Sequence, residues 1–209
     1  MEGTVLRQPQ LLAITDGDTV WQGADQEWFP RQIQRWCGCG PTAAAVMLSY
    51  LAQTRPRCRA LWPQVSMDRA SFTAFMCQVW DYVTPREHGL HRPEMFQTGV
   101  AAFAAARGVA LQASVLEIPA ARTRRPSFGA VSAFIRSGLE GDCPVAFLNL
   151  SNGKVAQLDR WHWVSIVGLE GNTAHILDSG RAFPIDLALW HETTKKRGGF
   201  VTVLPEGTP

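Results

Sequence analysis

The spacing of apolar residues changes character once along this chain, and that change limits the fold more than any other feature. Before Pro144 they recur at helical intervals, and after it they come in short runs typical of strands. Gly40-Pro41-Thr42 opens the segment AAAVMLSYLAQ. A proline in the first turn is already at helical φ, the alanines with Met47 and Leu48 propagate the helix, and Pro56 stops it. Phe72, Phe75, Met76, Val79, Trp80 and Val83 follow Ser66 and Asp68 at the spacing of a second, amphipathic helix. Pro93 starts a third, with Phe96, Val100 and Phe103 on one face and Gly108 just past its end. After an alternating stretch from Val109 to Leu116, the stripe Phe128, Val131, Ile135, Leu139 predicts a fourth helix over Ser127 to Leu139. From Pro144 the runs PVAFLNL, HWVSIVGL, AHILD and GFVTVL read as strands, parted by turns such as Ser151-Asn152-Gly153 and Glu170-Gly171-Asn172. Helices first and strands afterwards, without alternation, predict an α+β fold with an antiparallel sheet rather than a doubly wound α/β one.

A chain of 209 residues suits one domain better than two, and 46% hydrophobic residues supply a core. Twenty basic against 18 acidic residues leave a net charge of +2, too small a field to imply nucleic acid or a lipid surface as partner. No run approaches the length of a membrane span, and the first residues lack a secretion signal, so the chain is expected to be cytoplasmic. Cys37, Cys39, Cys58, Cys77 and Cys143 are odd in number and irregularly spaced, which predicts free thiols rather than a disulfide framework.

One of those thiols stands where chemistry is favoured. Cys39 immediately precedes Gly40-Pro41, at the predicted start of a helix, where partial positive charge and backbone N–H groups favour a thiolate and a developing oxyanion. Glycines on both sides, Gly38 and Gly40, permit close approach of a substrate backbone. His162 begins the run HWVSIVGL between two tryptophans, Trp161 and Trp163, and Asp178 closes the run AHILD sixteen positions later. If the turn at Gly171-Asn172 joins the two runs as a hairpin, the carboxylate comes alongside the imidazole, holds its tautomer and stabilises its charged form.

The run CGCGPTAAAVML resembles the nucleophile helix of papain-like cysteine peptidases, and His162-Trp163-Val164 followed by Asp178 resembles the bacterial bacteriocin-processing, double-glycine branch. The resemblance covers about Gln32 to Leu204 and implies a papain-like fold, with a nucleophile helix packed on a C-terminal sheet and a catalytic core of about 30–205. It further implies a glutamine shortly before the cysteine as oxyanion donor, for which Gln32 and Gln34 are candidates.

Together these readings predict a thiol hydrolase that cleaves peptide bonds through a thioester, with Cys39 as nucleophile, His162 as base and Asp178 as orienter. Gly38, Trp161 and Trp163 are expected to line the substrate cleft. The expected partner is a peptide or protein substrate, with no cofactor and no metal. Cys37-x-Cys39 lacks the second ligand pair of a zinc site, and His88 and His91 read as solvated loop residues. Deamidation and acyl transfer use the same triad, and a non-catalytic peptide-binding module of the same fold is the rival from another class.

Overall fold

The computed structural model describes residues 3–205. In chain order the elements are β1 (Thr4–Val5), β2 (Ala13–Asp16), β3 (Thr19–Gln22), α1 (Gln32–Cys37), α2 (Cys39–Thr54), α3 (Arg69–Trp80), α4 (Pro93–Ala105) and β4 (Leu111–Ile118). They continue with α5 (Phe128–Glu140), β5 (Val145–Asn149), β6 (His162–Glu170), β7 (Thr173–Asp178), β8 (Arg181–Asp186), α6 (Leu187–Thr193) and β9 (Gly198–Pro205). The fold is α+β, with N-terminal helices followed by a C-terminal antiparallel sheet in the order β4-β9-β5-β6-β7-β8, and with β1 added against β6. A separate hairpin, β2-β3, turns at Gly17-Asp18, where Gly17 supplies a positive φ of 57° at the first turn position.

The four expected helices form for local reasons. Asp68 caps α3 by accepting from the Ser71 N–H at 2.8 Å, Ser127 caps α5 by accepting from the Ala130 N–H at 3.2 Å, and Pro93 opens α4. α2 is different in character, since every residue from Gly40 to Ala52 is buried. Its Ala43-Ala44-Ala45 run has no side-chain bulk to hold neighbours away, so the helix sits at the centre of the molecule against β6, β5, α3 and α4. One cluster of buried apolar side chains runs from Leu6 to Val203, with Phe147, Trp190 and Phe200 packed ring against ring on one side of the sheet.

Three elements depart from the expectations. β8 forms although it contains Pro184, because it is the last strand of the sheet and a missing N–H costs nothing on an open edge. α6 follows it directly, capped by Asp186, which accepts from the Leu189 N–H at 2.8 Å. The alternating stretch before α5 becomes β4, which among the described residues pairs with β9 alone, some ninety residues on, so the predicted helical half supplies one edge of the sheet.

Candidate active site

Cys39 is the first residue of α2, and no side chain caps that helix start. A second short helix, α1, ends at Cys37, so Gly38 is the link between the two. Gly38 has no room for more: a Cβ there would fall on the Gln34 carbonyl oxygen and 2.7 Å from Phe29 Cε2. The tight link aims the cysteine at the end of the sheet.

That end presents His162 and Asp178. In the β6-β7 ladder Ser165 stands opposite Leu177, and one step further along the same register puts Asp178 opposite Val164, a diagonal neighbour of His162. Diagonal positions on paired strands lie within reach of long polar side chains. The ring Nε2 and Asp178 Oδ1 meet at 2.7 Å, and both side chains are nearly buried, 12% and 11% exposed. Ser179 also donates its hydroxyl to Asp178 Oδ1, at 3.1 Å, which leaves the carboxylate little freedom to turn. The Cys39 sulfur shares the spaces on either side of the ring and is close enough to influence its charge. With Nε2 taken by the carboxylate, Nδ1 is the atom left to face the thiol.

Burial by itself disfavours a charged imidazole, and it is the largest single influence on this one. It is outweighed by the hydrogen bond to Asp178, the nearby Cys39 sulfur and the negative charge of both, which raise the His162 pKa from 6.5 to about 10. These influences together favour the charged form of the ring. A cysteine-histidine pair so arranged can attack a carbonyl and return a proton to the leaving group.

Backbone strain brackets the pair. Among the described residues three that are not glycine have positive φ: Asp142 at 52°, Trp161 at 57° and Ser179 at 49°. Two of the three flank the site, one directly before His162 and one directly after Asp178. For a residue as bulky as tryptophan this conformation is a true outlier, sustained only when the surroundings impose it. Close by in the same loop, buried Asn149 at the end of β5 donates its side-chain amide to the Asp159 carbonyl at 2.5 Å and accepts from Trp190 Nε1 at 3.1 Å.

The structure places both candidate glutamines within α1 and its cap. Gln32 Oε1 accepts from Arg35 Nη2 at 2.9 Å, and Gln34, 2% exposed, turns its Oε1 back to the Arg31 N–H at the start of α1. Neither lines the space around Cys39, because both are spent within α1 and its cap. Gln26 lines it instead. Gln26 comes from the segment after β3, which docks on the β7-β8 turn through Gln22 N–H to Gly180 O at 2.8 Å and Gly180 N–H to Ala24 O at 3.1 Å. Its Nε2 donates to the Arg35 carbonyl at 2.6 Å, fixing the side chain from α1. No signal in the sequence marks Gln26: it stands thirteen residues ahead of Cys39, and only the docking of the hairpin brings it in.

Two spaces meet at the thiol. A small cavity of about 20 Å³ lies behind it, lined by Gln26, Thr42, His162 and Asp178 among others. Gln26 Oε1 and Thr42 Oγ1 are two of the buried polar atoms that have no partner within the protein. In front of it runs a groove of about 740 Å³, within the range of ligand pockets. Trp161 and Trp163 both line this groove, as expected, but in different ways. Trp163 is 3% exposed, stacks on Phe96 at 4.6 Å and donates Nε1 to the Leu90 carbonyl at 2.6 Å, so it is mainly a wall of the core. Trp161 is half exposed. Gly38 stays beneath the surface as the α1-α2 link and does not line the groove. His88 and His91 do line it, on the loop before α4. Among the described residues no group of three or more His, Cys, Asp or Glu is placed to hold a metal ion, and no helix is long and apolar enough to cross a membrane.

No protein-family profile matches the chain, and no curated protein sequence matches it. Among solved structures the chain is similar to the crystal structure of a double glycine motif protease from an AMS/PCAT transporter in complex with the leader peptide. The match covers 92% of this chain and 97% of that one, at 15% identity and a TM-score of 0.43.

Proposed function

We propose that this chain is a cysteine peptidase of papain-like type, carried by a single domain with its core at about 30–205. The observation that supports this best is the line of side chains from the start of α2 to the end of β7. Cys39 lies beside the His162 ring, whose Nε2 meets Asp178 at 2.7 Å. In this reading the pair reacts as a thiolate beside an imidazolium. The sulfur attacks the carbonyl carbon of a peptide bond, and the oxyanion that forms is met by the backbone N–H of Cys39 and by the Gln26 side-chain amide, whose second N–H is not used by Arg35. Imidazolium gives its proton to the departing amine, the C–N bond breaks, and a thioester to Cys39 remains. Neutral imidazole next takes a proton from water as the water oxygen attacks the thioester carbonyl. The C–S bond breaks, the carboxylic acid leaves, and the sulfur departs as thiolate beside the imidazolium that took the proton of water. Asp178 keeps Nε2 engaged throughout, so the same ring nitrogen faces sulfur, amine and water in turn.

The test is a proteome-derived peptide library incubated with the protein and read by mass spectrometry for new N-termini. Hydrolysis that vanishes in Cys39→Ala and in His162→Ala supports the reading. Hydrolysis that persists in Cys39→Ala overturns it. Conversion of glutamine to glutamate without chain cleavage assigns the same triad to deamidation, new amide or ester products assign it to acyl transfer, and tight binding without any product assigns the groove to a peptide-binding module.

A further inference from the structure

The groove in front of Cys39 carries two large aromatic side chains that the peptide chemistry does not use. Trp36, on α1 just before Cys37, is 73% exposed, and Trp161 is 50% exposed. Each of them lines the groove. Large exposed tryptophans are costly to leave in water, and a pair lining one groove is a feature that asks for an occupant. Trp161 is also held in a strained conformation, φ 57°, with Lys196 Nζ packed 4.6 Å from its ring centroid. A loop that spends backbone strain to hold an indole half in water presents that indole rather than burying it. Away from the catalytic pair, the carboxylates lining the groove, Asp25, Glu27 and Asp159, outnumber its one guanidinium, Arg160.

We infer that Trp36 and Trp161 are specificity-determining residues: the groove takes an extended peptide by stacking one bulky apolar side chain against these indoles, and its carboxylates favour basic over acidic neighbours of that side chain. The inference rests on the peptidase reading for the direction of catalysis, but binding alone tests it. Aromatic anchors of this kind commonly dominate the affinity of a peptide site, and the surrounding exposed carboxylates add a smaller, salt-sensitive preference.

The experiment uses the full chain as Cys39→Ser, to prevent turnover, and synthetic octapeptides that carry Phe, Leu or Ala at one position with Lys or Glu on either side. Affinities are read by calorimetry, and kcat/KM on the intact enzyme is measured in parallel. Phe and Leu peptides are expected to bind about tenfold or more tightly than the Ala peptide, with Lys-flanked peptides ahead of Glu-flanked ones by a margin that shrinks with salt. Trp36→Ala and Trp161→Gly should each bring the Phe-to-Ala ratio close to one. Glycine is the replacement at 161 because it adopts φ 57° without strain, so the loop keeps its course and an unchanged melting temperature certifies the fold. A Phe-to-Ala ratio that survives both substitutions, tighter binding of Glu-flanked peptides, or no binding of any peptide overturns the inference. The expected binding pattern without turnover by the intact protein overturns the peptidase reading and leaves the groove assignment standing.

Discussion

Replacing Asp178 by asparagine separates what its charge does from what its geometry does. The amide oxygen can still accept from His162 Nε2 across the 2.7 Å contact, so the ring orientation survives while the negative charge goes. Burial lowers the imidazole pKa here, so its rise to about 10 depends on Asp178 and Cys39 together. With charge centres about 4 Å apart and an effective dielectric of about 20, the lost attraction is at most ~4 kcal/mol. The neutral hydrogen bond that remains recovers about 1 kcal/mol. A net loss of roughly 1.5–3 kcal/mol moves the alkaline midpoint of His162 down by about 1–2 pH units. The same shift appears in stability. Because the folded pKa is raised above 6.5, the contribution of His162 is complete below that pH and is lost as pH rises through about 10. In Asp178→Asn that contribution is smaller and is lost at a lower pH, so the variant melts earlier than the parent at neutral pH and converges on it above about pH 10. NMR titration of the ring, with thermal melts across that range, reads both effects. Turnover should be weakened yet measurable in Asp178→Asn, whereas His162→Ala, which removes the base itself, should lose roughly a hundredfold to ten-thousandfold. An alkaline midpoint that does not move, or equal and complete loss of activity in both variants with the fold intact, would refute the reasoning.

Iodoacetamide at neutral pH is expected to label Cys39 fastest, and the fast phase should survive Cys37→Ser and vanish in Cys39→Ser. Burial raises the pKa of Cys37, Cys58 and Cys77 and pushes Cys143 up to about 12, and the Cys37 thiol is further engaged with the Ile33 carbonyl at 2.9 Å, so a fast phase that follows Cys37 would misplace the nucleophile. Gly38→Ala should cost roughly 1–3 kcal/mol, because the new Cβ meets a backbone carbonyl and sits 2.7 Å from the Phe29 ring. In a chain of this size that is a fall of about 2–10 °C in melting temperature, and an unchanged calorimetric trace would contradict it. Asn149→Ala should cost about 1–3 kcal/mol by stranding the Asp159 carbonyl and should speed hydrogen exchange in the 150–161 loop, and exchange rates equal to those of the parent would show that the loop is held by something else.

Much of the frame was legible before any coordinates. The helices α2, α3, α4 and α5 follow from caps, prolines and apolar spacing, all of which act within a few residues, and β5, β6, β7 and β9 follow from short apolar runs between turn residues. The pairing of β6 with β7 across Gly171 is also local, which is why His162 and Asp178 were expected side by side from their positions at the two open ends of one hairpin.

What failed to show in the sequence depends on contacts between distant segments. β8 was hidden by Pro184, whose penalty disappears only once the strand is known to lie on an edge. Gln32 and Gln34 drew attention by their nearness to Cys39 in the chain, but a helix start consumed them, and the glutamine that lines the site arrives through a hairpin docked on Gly180, more than 150 residues away. The tether from buried Asn149 to the loop before β6 likewise joins residues that local spacing does not connect. Local spacing determined which side chains stand at the ends of elements, because caps, turns and periodicity are short-range interactions. The three-dimensional packing alone decided which of those ends meet and what fills the space between them, because that depends on long-range burial which no short window of residues encodes.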